Sequence, residues 1–285
     1  MAIALTVGAA GCGDEEISDE QAFGTTANGG VTAAAASDID GTFDVGGHEL
    51  YLQCTGSGSP TIVFLHGSAR EEGDSGVEAA GPLAGLLDGK HRFCAYDRAN
   101  VGRSDKVAGR LTGSYSVRDL EALLREAEVP GPYVLLAQSL GGAIADLYAA
   151  KHPQDVAGMV LLDSTVPAYL GIYKRLYPPG SGPQIGEWRN EAEHLDRLAT
   201  FREAAKVQSR KIRMPVTYIA AKLVVEPAVA KALREAQEAF VRRFSPGRRI
   251  EVDAQHDMVP VVPEVIVREV ERVAAASKHA SASHE

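Results

Sequence analysis

The sequence has no run of about 20 apolar residues, the length that crosses the hydrocarbon core of a bilayer. It also has no internal repeat, heptad pattern, phosphate-binding P-loop or dinucleotide-binding fingerprint. Histidine, cysteine and carboxylate residues do not cluster at metal-ligand spacings, so neither a metal nor another cofactor is expected. Basic residues are outnumbered, with 29 Lys and Arg against 38 Asp and Glu, and the resulting net charge of −9 argues against nucleic acid as a partner.

The 285 residues are 45% hydrophobic and 24% charged, which is enough for one large domain with a substantial core. The predicted strands are 43–45, 48–54, 61–65, 91–96, 133–137, 157–162, 216–220 and a short run ending before His256. The predicted helices are 77–87, 117–127, 143–151 and 264–275. Alternating strands and helices predict an α/β fold whose mostly parallel sheet is covered on both faces.

The most informative segment lies between the apolar strand 133–137 and the helix-forming run 143–151. Ser139 stands there, with the small residue Ala137 two positions before it and Gly141 two positions after it. This strand–turn–helix pattern is typical of a nucleophile elbow, which presents a serine hydroxyl at the edge of a sheet. Glycine is usual at the first of these flanking positions, and alanine adds only one methyl group. The alternative is that Ser139 merely caps a helix.

A serine nucleophile needs a base, and His256 is the predicted one. It lies in a loop between a short alternating strand and the last predicted helix, 264–275, where the final strand ends. The other histidines fit this role less well, because they lie at strand entries, on helical or lid segments, or in the C-terminal tail. His66 precedes the serine and is interpreted as structural, hydrogen-bonding within its own loop.

Two backbone N–H groups are expected to stabilise a developing oxyanion. The first is that of Leu140, directly after the nucleophile. The second is that of Ser68, in the loop after strand 61–65, because Gly67 permits the backbone conformation that turns the next N–H inward.

Taken together, these features resemble the α/β-hydrolase superfamily over about residues 42–277. The resemblance rests on His66-Gly67, the segment 96–105, the elbow, the segment 160–163 and His256. It implies an esterase- or lipase-like serine hydrolase with an eight-stranded, mostly parallel sheet and a helical cap. In the segment 96–105 Asn100 replaces a usual glycine, which asparagine can do because it tolerates positive φ. Serine at the elbow disfavours the dehalogenases and epoxide hydrolases of the superfamily, which use aspartate there.

The acid that orients the histidine is predicted to be Asp163, directly after strand 157–162. The common superfamily position is the loop after strand 216–220, where Glu226 is the only carboxylate. Pro227 indicates that Glu226 stands at a helix start, where acidic residues are favoured in any case. An acid after the earlier strand is a known variant of the superfamily. The alternatives are that Glu226 is the acid, or that Asp163 only hydrogen-bonds neighbouring backbone.

Residues 164–213 interrupt the alternation and are predicted to form a helical cap over the active site. The aromatic residues of this segment are Tyr169, Tyr173, Tyr177 and the single tryptophan, Trp188. The alternative is a surface insertion whose aromatic residues pack it down. The nearby Glu187, Glu191 and Glu193 either bind a substrate amine or form a solvated helix face.

The N-terminus resembles a bacterial lipoprotein signal ending at a lipidated Cys12. It departs from that pattern in two ways, because Ala9 replaces a larger aliphatic residue and no Lys or Arg precedes the apolar run 1–10. The predicted organisation is a signal-like segment 1–12, a disordered tether 13–40, a folded domain 41–278 and a disordered tail 279–285. Membrane contact is expected only through Cys12. We expect a secreted or surface-anchored protein, or a cytoplasmic one if segment 1–12 is an unprocessed tail.

The superfamily sheet makes the strands of Cys54 and Cys94 neighbours, so a disulfide is expected. Two buried free thiols are the alternative.

The expected activity is that of a carboxylesterase acting on a small-molecule ester through an acyl-enzyme. Cleavage of an amide, in the manner of an aminopeptidase, or of a lactone is the enzymatic alternative. A binding protein on a hydrolase scaffold is the non-enzymatic one.

Overall fold

The computed structural model describes residues 37–69, 71–177 and 192–282, and in 279–282 only the backbone. The strands are β1 (Ile39–Asp44), β2 (Glu49–Thr55), β3 (Thr61–Leu65), β4 (Phe93–Tyr96), β5 (Tyr133–Gln138), β6 (Val156–Leu162), β7 (Val216–Ala220) and β8 (Gly247–Glu251). The helices are α1 (Gly76–Leu87), α2 (Gly113–Glu126), α3 (Leu140–Lys151), α4 (Tyr169–Leu176), α5 (Arg197–Val207), α6 (Pro227–Val241) and α7 (Pro263–Ala282). The signal-like segment with Cys12, together with Glu187, Trp188 and Glu191, lies outside the described residues.

The strands of the described ranges form one eight-stranded sheet in the order β1-β2-β4-β3-β5-β6-β7-β8. β2 pairs antiparallel with β1 and β4, and every other pair is parallel. This is the α/β-hydrolase fold predicted from the sequence. β3 lies between β4 and β5, so the direction in which successive strands are added to the sheet reverses at β3. The loops that follow β3 and β5 therefore diverge and leave a crevice at the carboxyl ends of these strands, the usual ligand position in such sheets.

Side chains along the strands alternate between two buried clusters, one on each face of the sheet. Val63 and Leu65 of β3 join residues of α2, α3, α5 and α6 in the first cluster. Ile62 and Phe64 join residues of α1 and α7 in the second. All five residues of β3 are buried for this reason, which explains why the central strands read as unbroken apolar runs rather than as an alternating pattern.

The two ends of the folded domain extend beyond their predicted limits. β1 begins at Ile39, inside the segment expected to be a tether, because its backbone pairs with β2 as far as Cys54. α7 continues to Ala282, past the predicted helix end at residue 275 and into the predicted tail. Both extensions consist largely of polar and small residues, so hydrophobic periodicity did not reveal them. None of the described helices is long and apolar enough to cross a membrane.

A disulfide bond joins Cys54 and Cys94, as predicted. The two residues are direct partners across the antiparallel pair β2–β4, and both are fully buried. The bond therefore fastens the antiparallel edge of the sheet to the strand beside β3.

The interruption after β6 contains two described helices with different surroundings. α4 packs against α6, close to the carboxyl end of β6, whereas α5 packs against α2 and α3 in the helix layer of the first cluster. Gly113 of α2 marks this contact, because a Cβ there would lie 2.7 Å from Thr200 on α5. The segment 164–213, predicted to be a cap as a whole, thus contributes one of its helices to the body of the domain.

Candidate active site

Ser139 occupies the sharp turn between β5 and α3, with φ 52° and ψ −117°. This left-handed conformation is costly for a residue with a side chain and is found where the surrounding structure enforces it. Gly141 is part of that enforcement, since a Cβ at this position would lie 2.3 Å from the carbonyl oxygen of Leu65. The first turn of α3 can therefore approach the end of β3 only with glycine here. The segment has the geometry predicted for a nucleophile elbow.

Three predicted residues form a continuous hydrogen-bonded chain. Nε2 of His256 lies 2.9 Å from Oγ of Ser139, and Nδ1 of His256 lies 2.7 Å from Oδ2 of Asp163. When Nδ1 carries the proton, it donates to the carboxylate and leaves Nε2 as the acceptor of the serine hydroxyl. The side chain of Asp163 is 15% exposed and that of His256 is 38% exposed, so the imidazole is accessible while the carboxylate is sheltered.

The carboxylate that reaches the histidine is that of Asp163. The hydrogen bond expected under the purely structural interpretation is also present, because Oδ1 accepts the backbone N–H of Ala221 at 3.3 Å. Asp163 itself has φ 38°, a second positive-φ residue at the same sheet edge. Glu226, the alternative acid, is exposed and caps α6 with Pro227 as the first helical residue, as the sequence indicated.

The loop after β3 runs directly beside the elbow. A Cβ on Gly67 would lie 3.2 Å from Cβ of Ser139, so the backbone approaches the serine as closely as a glycine allows. Ser68 and Leu140, the two predicted N–H donors, line the same cavity as Ser139. Leu140 is the first residue of α3, and N–H groups at a helix N-terminus carry partial positive charge. The two residues come from different elements, the loop after β3 and the first turn of α3.

The cavity at this edge has a volume of about 630 Å³. Its floor is the elbow and the loop after β3, and one wall is formed by Tyr169 and Tyr173 of α4 with Phe201 of α5. Asp74, Glu78 and Asp257 add carboxylates, and Arg197 adds one guanidinium. Both described helices of the interruption after β6 contribute side chains to the lining of this cavity.

The tyrosine wall is uncharged at neutral pH. Tyr173 packs edge-on against both Tyr169 and Tyr177, with ring centroids 5.8 and 5.9 Å apart. Burial raises the pKa of Tyr173 to about 12, and burial also raises the pKa of Tyr169. The Tyr169 hydroxyl is held by Nε2 of Gln237 at 2.6 Å. The wall therefore offers apolar ring surface to a substrate, with one phenol fixed in orientation.

A buried ion pair between Arg98 and Glu193 lies behind the loop after β3, and sequence reasoning did not find it. The side chains are 3% and 1% exposed, and Nη2 of Arg98 lies 3.0 Å from Oε2 of Glu193. Both interpretations offered for Glu193 are therefore wrong, because it neither faces solvent nor is available to a substrate amine. The one sequence signal was Arg98 itself, a charged residue two positions after a buried strand.

Asn100 shows why the glycine of the superfamily pattern can be replaced here. Its φ is 69°, as anticipated. Its side chain is also used, since Oδ1 accepts the N–H of Val107 at 2.8 Å and Nδ2 donates to the carbonyl oxygen of Glu193 at 3.1 Å.

His66 is buried and contacts Gly67 within its own loop, as its structural interpretation predicted. Its Nδ1 lies 2.8 Å from the carbonyl oxygen of Gly67.

Comparisons with known proteins agree on the fold. Residues 60–179 match the family model for the alpha/beta hydrolase fold, a range that includes the loop after β3 and the elbow. The chain is 34% identical over 126 residues to the uncharacterized protein YqjL of Bacillus subtilis strain 168. The aligned region covers 44% of this chain and 48% of that protein. It is 32% identical over 168 residues to a proline iminopeptidase of Saccharolobus solfataricus. That aligned region covers 54% of this chain and 53% of that protein.

The chain thus spans about half the length of these two relatives. Among solved structures, a loop variant of the haloalkane dehalogenase DbeA from Bradyrhizobium elkanii superposes with a TM-score of 0.61 at 18% identity, covering 87% of this chain and all of that one. At that identity the likeness concerns the fold. The chain has the α/β-hydrolase fold, which the family-model match over residues 60–179 and the solved structures both support.

Proposed function

We propose that this protein is a serine hydrolase that cleaves a carboxylic ester through an acyl-enzyme. The observation that carries the proposal is the hydrogen-bonded chain from Ser139 through His256 to Asp163. Oγ of Ser139 forms a bond to the ester carbonyl carbon while Nε2 of His256 takes its proton. The carbonyl oxygen becomes an oxyanion, and Asp163 stabilises the imidazolium without itself taking the proton.

The acyl-enzyme forms when the carbon–oxygen bond to the leaving group breaks. His256 returns its proton to that oxygen, which departs as an alcohol. A water molecule then gives its proton to His256 and attacks the acyl carbon, releasing the acid and restoring Ser139. The N–H groups of Ser68 and Leu140 are proposed to hold the oxyanion in both halves, and losing one such donor costs about 10²–10³ in kcat.

A second candidate is hydrolysis of an amide next to a free amine. Two observations favour it: the carboxylates of Glu78 and Asp257 line the cavity, and the chain resembles a proline iminopeptidase over about half of that protein. The same three residues would serve both reactions, so the substrate decides between them. The intact chain of serine, histidine and acid argues against a binding protein that has lost its chemistry.

Export is proposed alongside the activity. The Cys54–Cys94 disulfide is the supporting feature, because disulfides persist mainly in oxidising compartments.

The test combines covalent labelling with a substrate panel. A fluorophosphonate should label Ser139, and the panel should contain esters of graded acyl length, a lactone and an aminoacyl amide. Ser139→Ala should lose labelling and at least about 100-fold in kcat, because triad losses are typically far larger. The matched control is Ser116→Ala, which removes a buried hydroxyl on α2 that contacts the Thr112 carbonyl oxygen. A Ser139→Ala protein that stays folded and keeps its activity would refute the proposal.

A further inference from the structure

We propose that Arg98 and Glu193 are positioning residues that set the orientation of the Gly67–Ser68 peptide, so that the Ser68 N–H faces the oxyanion. The inference rests on the proposed function, because it assigns the ion pair to the oxyanion site of that reaction. Neither side chain lines the cavity, so both act through the backbone they hold.

One peptide unit joins Gly67 to Ser68. Its carbonyl oxygen belongs to Gly67 and its N–H belongs to Ser68, and in a planar trans unit the two point in opposite directions. Fixing the oxygen therefore fixes the direction of the N–H. Nη2 of Arg98 donates to this oxygen at 2.6 Å, and Nδ1 of His66 lies 2.8 Å from it. Two donors thus hold one carbonyl oxygen, and the guanidinium among them belongs to a residue that does not line the cavity.

The ion pair also holds the peptide units on either side. Nη1 of Arg98 donates to the carbonyl oxygen of His66 at 2.8 Å, which fixes the unit before. Oε2 of Glu193 accepts the N–H of Ala69 at 3.2 Å, which fixes the unit after. Three consecutive peptide units are thereby bound to one pair of side chains. Among the backbone–backbone hydrogen bonds of the described residues, none is donated by the N–H of Ser68.

Charge and burial make this arrangement more effective than backbone contacts alone. A guanidinium donor polarises the carbonyl that it binds, and polarisation of a peptide strengthens its N–H as a donor. Water competes little, because both side chains are almost fully buried. Glu193 neutralises the charge of Arg98 and prevents its rotation through a second contact at Nε. The ion pair thereby holds the N–H of Ser68 rigidly in one direction. Preorganised stabilisation of an oxyanion requires such a fixed donor.

The decisive variant is Arg98→Met/Glu193→Met. Removing one partner would leave an uncompensated buried charge and destabilise the fold, whereas replacing both by apolar residues of similar volume is often neutral. We expect kcat to fall about 10- to 100-fold, below the full loss of one donor, while KM changes less than about threefold. The inhibition constant of a trifluoromethyl ketone, which forms an oxyanion on the serine, should rise by the same factor as kcat/KM falls. The product carboxylate should bind as before.

The chain offers a matched control in Arg243 and Asp146, an equally buried ion pair with Nη1–Oδ distances of 3.0 Å. Neither residue lines the active-site cavity. Arg243→Met/Asp146→Met should keep kcat and the ketone inhibition constant within about twofold of wild type, even if its melting temperature changes. If this control lost as much activity as the Arg98/Glu193 double variant, the effect would be general loosening and the inference would fail.

Other outcomes separate this inference from the proposed function. If wild-type Ser139 were not labelled by a fluorophosphonate, both would fall. If labelling and hydrolysis were normal in the wild type and unchanged in the folded Arg98/Glu193 variant, only the inference would fall.

Should the double variant not fold, the single variant Arg98→Lys replaces it. Lysine keeps the positive charge, but its ammonium group cannot bind both carbonyl oxygens in the planar geometry of a guanidinium. It should lower kcat about 5- to 20-fold with a matching loss of ketone affinity, and wild-type values would overturn the inference.

Discussion

The carboxylate of Asp163 bridges two parts of the site, since Oδ1 accepts the N–H of Ala221 while Oδ2 faces Nδ1 of His256. Ala221 directly follows β7, the strand next to β6, so the acid is held by the neighbouring strand end as well as by its own. The bridge allows an acid that follows β6 to reach a histidine that follows β8.

Asp163→Asn should therefore impair catalysis severely while leaving the protein folded. An amide can still contact the backbone, but it favours the wrong histidine tautomer and cannot stabilise the imidazolium, and we expect kcat to fall about 10³- to 10⁴-fold. Glu226→Gln should stay within about twofold, because Glu226 is exposed at a helix start. Steady-state kinetics on both variants test this, and the reverse ranking would assign the acid to Glu226.

Gly67→Ala should reduce activity through crowding at the nucleophile. Its new Cβ would lie 3.2 Å from Cβ and 3.9 Å from Oγ of Ser139, so serine or loop must shift by a few tenths of an ångström. A misplacement of about 1 Å can cost about 100-fold, so we expect this smaller shift to lower kcat/KM by up to about 10-fold. Gly81→Ala is the control, because nothing lies within 4 Å of a Cβ there and alanine favours the helix α1. Equal activity of the two variants would contradict the close approach.

The Cys54–Cys94 disulfide should contribute measurable stability. It closes a loop of 40 residues, for which the chain-entropy relation gives up to about 4 kcal/mol. In a Cys12→Ser background, protein made in an oxidising compartment should yield no reactive thiol after denaturation without reductant. Cys54→Ala/Cys94→Ala in the same background should unfold at lower denaturant concentration. Two reactive thiols per chain in the parent would disprove the bond.

Stability should fall below about pH 6.5 because of His66. Burial first, and then the nearby charge of Arg98, hold its pKa well below its ordinary value. As the pH falls through the unfolded-state pKa of about 6.5, the unfolded chain binds a proton that the folded chain does not. The free energy of unfolding then decreases by up to about 1.4 kcal/mol per pH unit from this residue.

His66→Gln removes that contribution. Urea unfolding of both proteins at pH 7.5, 6.5 and 5.5 measures it, with the difference at pH 7.5 as the reference for lost packing. The stability gap between wild type and variant should narrow as the pH falls. A gap that stays constant over this range would show that His66 binds its proton equally well in the folded state.

Much of the central fold could be predicted because its signals are local. The structure reproduces the predicted limits of β3 and β7, whose apolar runs end abruptly at polar or glycine-containing loops. The elbow could be located because a tight turn restricts its flanking residues to small ones. The proximity of Ser139 and His256 could be anticipated because both follow parallel strands, and the carboxyl ends of parallel strands share one edge.

The residues that were missed depend on contacts between distant parts of the chain. Arg98 and Glu193 are 95 positions apart, and the sequence around Glu193 looks like any polar stretch. Only the folded arrangement shows that this carboxylate is withdrawn from solvent. The limits of β1 and α7 were missed for another reason, since pairing and helix continuation there use backbone hydrogen bonds that need no apolar pattern.

Two exposed carboxylates of the cavity lining bear on the end of the proposed catalytic cycle. Ester hydrolysis turns an uncharged ester group into a carboxylate anion, and Glu78 and Asp257 both line the cavity in which that anion forms. Like charges repel the product once it has formed, whereas they leave the neutral ester unaffected on its way in. Electrostatic repulsion would thus speed release of the acid in the proposed reaction and weaken inhibition by accumulated product.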